Sequence, residues 1–225
     1  MSPPELRPAT RADLIGLPVE VAPRLLGAHL TVRSGGDVVT VRLTEVEAYH
    51  GLGTGPVPDP GSHARSGPTA RNATMWGEPG HLYVYLSHGI YSCVNVVSGP
   101  DGTAGGILLR AGEIVVGRDA ALRHRLERGG VVRSDRDLAR GPGRFGDAIG
   151  LRHPLHDGID AISGAEWHGA TARLELRSSP LADVVAGPRV GVAGVAGTDA
   201  FPWRFWIADD PTVSPFRWGR GAGPS

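Results

Sequence analysis

The chain has 225 residues with 23 acidic and 23 basic side chains, so its formal net charge at neutral pH is zero. Its length allows one large domain, and the 34 glycines and 19 prolines are spread between periodic segments, which argues against disorder and favours a loop-rich, sheet-rich domain. All 23 basic residues are arginine, which excludes chemistry that forms a Schiff base on a lysine amine.

The sequence also predicts the cellular compartment of the protein. Its single cysteine, Cys93, cannot form an internal disulfide, which indicates a reducing compartment. The N-terminal residues have no apolar core long enough for a signal peptide, and no stretch approaches the length of a membrane span. We expect a soluble, cytoplasmic monomer without a membrane partner, in which residues 1–12 and 214–225 are flexible tails.

Charge is distributed unevenly along the chain. Residues 61–145 contain 11 arginines and 7 acidic residues, a net charge of +4, whereas residues 146–225 contain 7 arginines and 9 acidic residues, a net charge of −2. A basic middle would let one face contact phosphates while the whole protein stays neutral. A solvated charged face gives the same pattern, so this signal is weak alone.

The first predicted elements are a short helix and a hairpin. Residues 17–27 carry a proline near the start, an apolar stripe and a terminal glycine, which predicts a helix. Strand-like runs at 28–33 and 38–49 follow. The Ser-Gly-Gly-Asp sequence between them is typical of a hairpin turn.

The second strand of this hairpin carries two carboxylates. Side chains alternate along a strand, so Glu45, Glu47 and Tyr49 project to one side, with the carboxylates roughly 7 Å apart. Two explanations stay open from these residues alone. Either the face is exposed to solvent, or the pair lines a site in which one carboxylate stays ionised as a base and hydrogen bonds hold the other.

A glycine- and proline-rich loop at 50–60 leads to a segment with one imidazole, two guanidiniums and several small residues. One interpretation is a metal site built from Glu47, His50 and His63. We discount it, because no His-x-x-x-His or cysteine-rich spacing supports such a site. We therefore predict neither a metal nor another cofactor.

A second hairpin is predicted at 81–95, with its turn at 87–89. Tyr83 and Tyr85 share one face of its first strand, and the opposite face is apolar. On its own, this pattern is typical of a half-buried hairpin whose tyrosines pack at the edge of a core. The nearby carboxylates and Arg110 favour instead a pocket for a flat, polar ring.

The second half of the chain contains further strands, helices and many arginines. Strands are predicted at 106–110, 172–176, 189–192 and 203–207, and helices at 113–128 and 142–149. Residues 141–146 fit the dinucleotide pattern G-x-G-x-x-G formally, but no strand precedes them, so we predict a turn whose amides can hold a phosphate. The arginines of the helix predicted at 113–128 are candidate phosphate contacts as a group. For each arginine taken singly, a solvent-exposed helix face is a sufficient explanation.

Taken together, these residues resemble the alkyladenine (3-methyladenine) DNA glycosylase family, in order and over most of the chain. The similar positions are Thr-Glu-Val-Glu-Ala-Tyr at 44–49, Ser-His-Ala-Arg at 62–65, Gly-Pro-Thr at 67–69, Arg71, Asn72, Met75, Pro79, Gly80, Leu-Tyr-Val-Tyr at 82–85, Gly89, Tyr91, Asn95, Leu-Leu-Arg-Ala at 108–111, Arg-Gly-Pro-Gly-Arg-Phe-Gly at 140–146, Arg-Val-Gly-Val at 189–192 and Trp-Arg-Phe-Trp at 203–206.

The resemblance implies an α+β fold: a single mixed domain with a curved antiparallel β-sheet, surrounding short helices and a β-hairpin that projects into the minor groove of DNA. It implies an enzyme whose partner is double-stranded DNA containing damaged purines. Such an enzyme flips an alkylated, deaminated or etheno purine out of the duplex and hydrolyses the N-glycosidic bond in base excision repair. Because the chain has no lysine, the enzyme should be monofunctional, with water attacking the sugar.

The resemblance also implies roles for individual residues. Glu47 is the general base that activates the water, and Arg110 holds that water and keeps Glu47 ionised. The flipped base stacks between Tyr49 on one side and His63 with Tyr85 on the other. Asn95 crowds the 2-amino group of guanine. The expected DNA contacts are His88, Tyr91, Arg65, Arg71, Arg140 and Arg144.

Two features depart from the family pattern. The hairpin tip carries His88 where family members often carry a bulky tyrosine wedge, which predicts weaker retention of the flipped state. The loop at 50–60 matches the family least well and leaves lesion preference open. Two other functions remain as alternatives: a nucleic-acid-binding module without catalysis, and a hydrolase of free nucleosides that uses the same carboxylates.

Overall fold

The computed structural model describes residues 5–54 and 57–224. These residues form one mixed α/β domain whose strands are β1 (Leu6–Pro8), β2 (His29–Ser34), β3 (Asp37–His50), β4 (His81–Ser87), β5 (Tyr91–Val97), β6 (Gly105–Val116), β7 (Ala139–Arg140), β8 (Ile159–Asp160), β9 (Ala170–Arg177), β10 (Val184–Gly187) and β11 (Arg204–Ile207). The α-helices are α1 (Pro18–Val21), α2 (Arg118–Glu127) and α3 (Pro142–Ala148). No helix in the described part of the chain is long and apolar enough to cross a membrane.

The strands form one curled antiparallel sheet, which confirms the predicted fold class. Its main order is β1-β9-β2-β3-β6-β5-β4-β8, with β11 added to β3, β10 to β11 and β7 to β6. The two longest strands, β3 and β6, lie side by side in the middle and pair from Thr40 to His50. The two central strands, β3 and β6, therefore run from the core to the far edge of the sheet and position side chains along that whole length.

Alternation along β3 divides its side chains between the core and the candidate site. Val46 and Ala48 are fully buried in the main apolar core with Leu109 of β6. A second, smaller cluster around Met75 and Tyr83 lies under the hairpin of β4 and β5. Packing on one face thus holds β3 rigidly while Glu45, Glu47 and Tyr49 occupy the other.

The hairpin of β4 and β5 closes at the predicted turn. His88 (φ 51°) and Gly89 (φ 71°) both adopt left-handed backbone conformations, and the Ile90 N–H donates to the Ser87 carbonyl at 3.0 Å. This is the geometry of a type I′ turn, which matches the twist of an antiparallel pair. Glycine adopts it without strain, and histidine is one of the few other residues enriched there. The His88 side chain is exposed at the tip.

Most other predicted elements are confirmed, but the region around residue 113 is not. The prediction of a helix from residue 113 was wrong, because Ile114, Val115 and Val116 continue β6 and α2 begins only at Arg118. β-branched residues favour strands, and the adjacent β3 supplies the hydrogen-bonding partner. Gly117 makes the break: at φ 78° it passes so close to the Val38 carbonyl that a Cβ would collide with it.

The prediction of a strand at 189–192 was also wrong. This segment is a loop, and its first polar groups point into the protein instead of joining the sheet. The Arg189 side chain is fully buried against Asp59, and the Val190 N–H donates to the Glu47 carboxylate. Tertiary partners have replaced strand partners here.

The expected tails have fixed contacts in the residues described. Leu6–Pro8 pairs with β9 as an edge strand. Ser214 is buried, and its backbone N–H donates to Glu45 at 2.7 Å. Residues 1–4 and 225 of the expected tails lie outside the described residues, and the flexibility of residues 1–12 and 214–225 stays a prediction.

Candidate active site

A bulge between the two central strands creates the charged part of the site. In their register, Glu45 pairs with Ala111 and Val46 pairs with Leu109, so Arg110 is the residue left out of the ladder. A bulge of this kind bends the strand and re-aims a side chain. The Arg110 guanidinium consequently lies between two carboxylates: Nε donates to Glu45 at 3.0 Å and Nη1 donates to Glu47 at 3.3 Å.

Glu47 is fully buried, and its carboxylate accepts three hydrogen bonds. One oxygen accepts the Val190 N–H at 2.6 Å. The other accepts the Tyr49 hydroxyl at 2.9 Å and Arg110 at 3.3 Å. A buried carboxylate is stable only when it is paired and hydrogen-bonded, so this environment suits the ionised form.

Glu45 is also fully buried, with a different set of donors. It accepts hydrogen bonds from Arg110, from Arg204 Nε at 2.7 Å and from the backbone and hydroxyl of Ser214. The explanation that this face of β3 is exposed to solvent is therefore wrong. The two glutamates and two arginines form a buried set of four charges with no net charge.

The carboxylates keep Arg110 charged. Burial alone would lower the pKa of its guanidinium, but the charges of Glu47 and Glu45 outweigh burial, so the pKa lies above the ordinary arginine value. Tyr49 shows the complementary effect. Burial, and secondarily the charge of Glu47, raise the pKa of its hydroxyl well above the ordinary value, so the hydroxyl remains a proton donor toward Glu47.

A cavity of about 580 Å³ opens beside this charged set. Its lining residues include seven of the predicted site residues: Tyr49, His63, Arg65, Tyr85, His88, Asn95 and Arg110. Its other walls include Met75, Tyr83, Cys93 and the segment Val190–Ala193. Glu47 itself does not line the cavity, but its hydrogen-bond partners Tyr49 and Arg110 do. The volume and the aromatic walls suit a planar, drug-sized ring system.

Three neighbouring rings, those of His63, Tyr83 and Tyr85, form one aromatic wall of the cavity. Tyr83 and Tyr85 are stacked, with ring centroids 5.4 Å apart and planes at 26°. The His63 ring lies 4.6 Å from Tyr85 but perpendicular to it, and its Nδ1 lies 3.3 Å from the Tyr83 hydroxyl. His63 and Tyr85 therefore cannot both stack face to face on one planar ligand; one of them must meet it by an edge.

Buried amides hold this wall in place. Asn72 donates to the carbonyls of His63 and Gly67, at 3.0 and 3.1 Å, which fixes the loop that carries His63. Asn95 donates to the Tyr83 carbonyl at 3.0 Å and lines the cavity. Partial burial lowers the pKa of His63, and the charges of Arg71 and Arg65 lower it further, so the ring is neutral at physiological pH.

The predicted DNA-contacting residues surround the mouth of the cavity unevenly. Arg65 and His88 line it, whereas Tyr91 is 45% exposed on β5 and packs near Gly143. The exposed Arg71 reaches the Leu86 carbonyl at 3.4 Å, so it sits against the hairpin.

The two remaining arginines differ from one another. Arg140 is partly buried, and its Nε donates to the Val213 carbonyl at 2.8 Å, which gives it a structural contact. Arg144 is exposed and lies 4.0 Å from Asp137, a weak pair that leaves the guanidinium available to a ligand.

Several residues of the site were not predicted from the sequence. Arg189 forms a bidentate pair with Asp59, both distances being 2.8 Å, and both side chains are fully buried. Tyr83 and Arg217 line the cavity but were not among the predicted site residues. The only sequence signal for Arg189 was its place in a motif shared with the family, and Asp59 lay in the loop that matched that family least.

Within the described residues, no three histidine, cysteine, aspartate or glutamate side chains come together as a metal-binding group. His50, which the discounted metal interpretation invoked, packs its ring 4.7 Å from Trp203.

Residues 15–211 match the family model described as Methylpurine-DNA glycosylase (MPG). A protein of Nocardia farcinica is 50% identical over 206 residues, which cover 91% of this chain and 90% of that protein. A protein of Streptomyces avermitilis is 44% identical over 214 residues, covering 95% and 94%. One from Leifsonia xyli subsp. xyli is 47% identical over 199 residues, covering 88% of each. All three carry the name "Putative 3-methyladenine DNA glycosylase".

Proposed function

Because the chain belongs to the methylpurine-DNA glycosylase family, we propose that it is a monofunctional DNA glycosylase that flips damaged purines out of duplex DNA and hydrolyses their N-glycosidic bond. One observation carries the proposal. The buried carboxylate of Glu47 is hydrogen-bonded to Tyr49 and Arg110, and these two residues line a cavity that also has aromatic rings in its wall.

The cavity binds the flipped base by stacking and by exclusion. Tyr49 supplies one face, and Tyr85 and His63 supply the other side, one by its face and one by its edge. Base stacking on aromatic side chains contributes about 1–3 kcal/mol per base, which offsets much of the few kcal/mol that extrusion costs. Asn95, held by the Tyr83 carbonyl, crowds the 2-amino group that distinguishes guanine.

Glu47 acts as the general base toward water. Its carboxylate is hydrogen-bonded to Tyr49 and Arg110, which both line the cavity, so a water bound beside these two side chains is the nucleophile that Glu47 activates. General-base assistance accelerates such a step by about 10²- to 10⁴-fold. Cationic alkylpurines are good leaving groups without protonation by the enzyme, whereas neutral lesions such as hypoxanthine must be protonated before they leave. A pocket that only holds a purine therefore already favours the release of alkylated bases.

The DNA contacts follow from the residues around the mouth. His88 at the hairpin tip enters the space left by the flipped nucleotide, and Arg65, Arg71 and Arg144 are the exposed predicted side chains that reach phosphates. Arg217 joins them because it lines the same cavity. The buried thiol of Cys93 fits a reducing compartment, which supports a cytoplasmic location. We propose that the enzyme acts there on DNA as a monomer.

The test is incubation with duplexes that contain methylated purines, hypoxanthine or an etheno-purine. Release of the free base together with an alkali-labile site is the expected result, with no protein–DNA adduct after borohydride reduction, because the chain has no lysine. Binding without release from any of these duplexes would favour a binding module. Release from free nucleosides at a similar rate would favour a nucleoside hydrolase.

A further inference from the structure

Arg110 is held more closely by Glu45 than by the proposed general base. Its Nε lies 3.0 Å from Glu45, its Nη1 lies 3.3 Å from Glu47, and its Nη2 lies 3.3 Å from the Ser214 hydroxyl. All three partners are buried. Glu45 and Ser214 thus fix the orientation of the guanidinium through Nε and Nη2. Glu47 contacts the remaining nitrogen, Nη1.

Ser214 contacts every member of the charged set except Glu47. Its N–H and hydroxyl donate to the two oxygens of Glu45, at 2.7 and 3.0 Å. Its hydroxyl oxygen accepts from Arg110, and its carbonyl accepts from Arg204 Nη2 at 3.0 Å. A hydroxyl has one proton to donate and lone pairs to accept with, so these contacts are mutually compatible. Ser214 lies beyond residue 211, where the match to the family model ends.

Glu45 also balances the charge around Glu47. With Glu45 ionised, two arginines face two carboxylates. Without the charge of Glu45, Arg110 would face Glu47 alone, while Arg189, the other arginine that interacts with Glu47, keeps its own partner, Asp59. A carboxylate among uncompensated cations holds its charge more strongly and is a weaker base.

We propose that Glu45 and Ser214 are positioning residues: a clasp between β3 and the C-terminal segment that fixes Arg110 against Glu47 and keeps Glu47 basic. This inference rests on the proposed function. The clasp acts through Arg110 and touches neither the cavity nor the DNA, so it should affect the chemical step and leave binding unchanged.

The experiment measures single-turnover release of methylpurines from a methylated duplex, and affinity for a duplex that carries a tetrahydrofuran abasic-site analogue. Ser214→Ala and Glu45→Gln should each lower the maximal rate by about 10- to 100-fold, with affinity within about 2-fold of wild type. Ser214→Thr, which retains the hydroxyl, should restore most of the rate. In Glu45→Gln the acidic limb of the pH–rate profile should move to lower pH, because Glu47 then loses its proton more easily.

The matched control is Thr44→Val. The Thr44 hydroxyl lies 2.7 Å from that of Thr212 and joins the same strand to the same segment, but it touches neither arginine nor carboxylate. Rates for Ser214→Ala and Glu45→Gln equal to that of Thr44→Val, or an unmoved acidic limb, would overturn the clasp while wild-type activity stands. If Glu45→Gln does not fold, the rates of Ser214→Ala and Ser214→Thr test the clasp without it. A wild-type protein that releases no base would instead overturn the proposed function.

Discussion

Arg189 stacks on Tyr49. Its guanidinium carbon lies 4.5 Å from the centroid of the Tyr49 ring, and 5.0 Å from that of Trp203, while both Nη atoms bind Asp59. Tyr49 also lines the cavity. The ring proposed to stack on the flipped base is therefore held by a buried cation, an arrangement that favours one fixed ring orientation.

Asp59→Asn should destabilise the fold and loosen this support. Removing one partner of a fully buried ion pair costs about 3–5 kcal/mol, because the remaining charge is left uncompensated. For a chain of this size the melting temperature should fall by about 6–20 °C. Calorimetry checks the change against Asp135→Asn, which removes an exposed pair with Arg118 and should cost less than about 1 kcal/mol. Equal effects of the two substitutions would contradict the structural role of Asp59.

Glu47→Gln should abolish practical turnover and spare binding. The amide keeps the size of the side chain but cannot take a proton from water, so the rate should fall by at least about 10²- to 10⁴-fold. Single-turnover release of the damaged base measures the loss, and fluorescence anisotropy with a lesion duplex measures affinity. The exposed Glu127, changed to Gln, is the control and should behave as wild type. Near-normal release by Glu47→Gln would remove this residue from the mechanism.

Tyr49→Phe separates stacking from hydrogen bonding. The ring remains, so affinity for lesion DNA should change little. The hydroxyl that donates to Glu47 at 2.9 Å is lost, and a carboxylate with one donor fewer takes up a proton more readily. The acidic limb of the pH–rate profile should therefore move to higher pH. A limb that stays in place, or moves down, would show that this hydrogen bond does not tune Glu47.

Histidine titration tests the electrostatics of the cavity mouth. The pKa of His63 is lowered by partial burial first and by Arg71 and Arg65 second, so it should titrate below the ordinary value of 6.5. Removing a positive neighbour makes protonation easier, so Arg71→Ala should raise the midpoint while burial keeps it below 6.5. Ring-proton NMR follows both states. His29, whose pKa burial also lowers but which has other charged neighbours, should be unchanged in the variant.

His88→Tyr should strengthen retention of the flipped state. A tyrosine fills more of the vacated stack than histidine does, and base stacking on aromatic side chains supplies about 1–3 kcal/mol. The backbone at φ 51° disfavours a bulky residue, so a small loss of thermal stability should accompany the gain. His88→Asn, which tolerates the same backbone but has no ring, should bind lesion DNA more weakly than wild type. No gain in affinity for tyrosine would contradict the wedge role.

Local sequence determined the elements whose signals are local. The glycines and short spacings at 34–37 and 87–89 specified two hairpins, because few residues allow the left-handed conformations such turns need. Alternation along β3 placed Glu45, Glu47 and Tyr49 on one face. The absence of lysine excluded one chemistry without any coordinates. These inferences depend only on neighbours in the chain, so they needed no tertiary knowledge.

Tertiary structure alone decided which charges meet. Asp59 and Arg189 are 130 residues apart, and Glu45 and Ser214 are 169 apart, yet each pair is buried in contact. No local pattern specifies such partners. A buried charge is stabilised by whichever opposite charge the folded sheet brings next to it, and that neighbour depends on the tertiary structure. The same reason explains why the prediction of a strand at 189–192 was wrong. The Val190 N–H donates to the Glu47 carboxylate and not to a neighbouring strand.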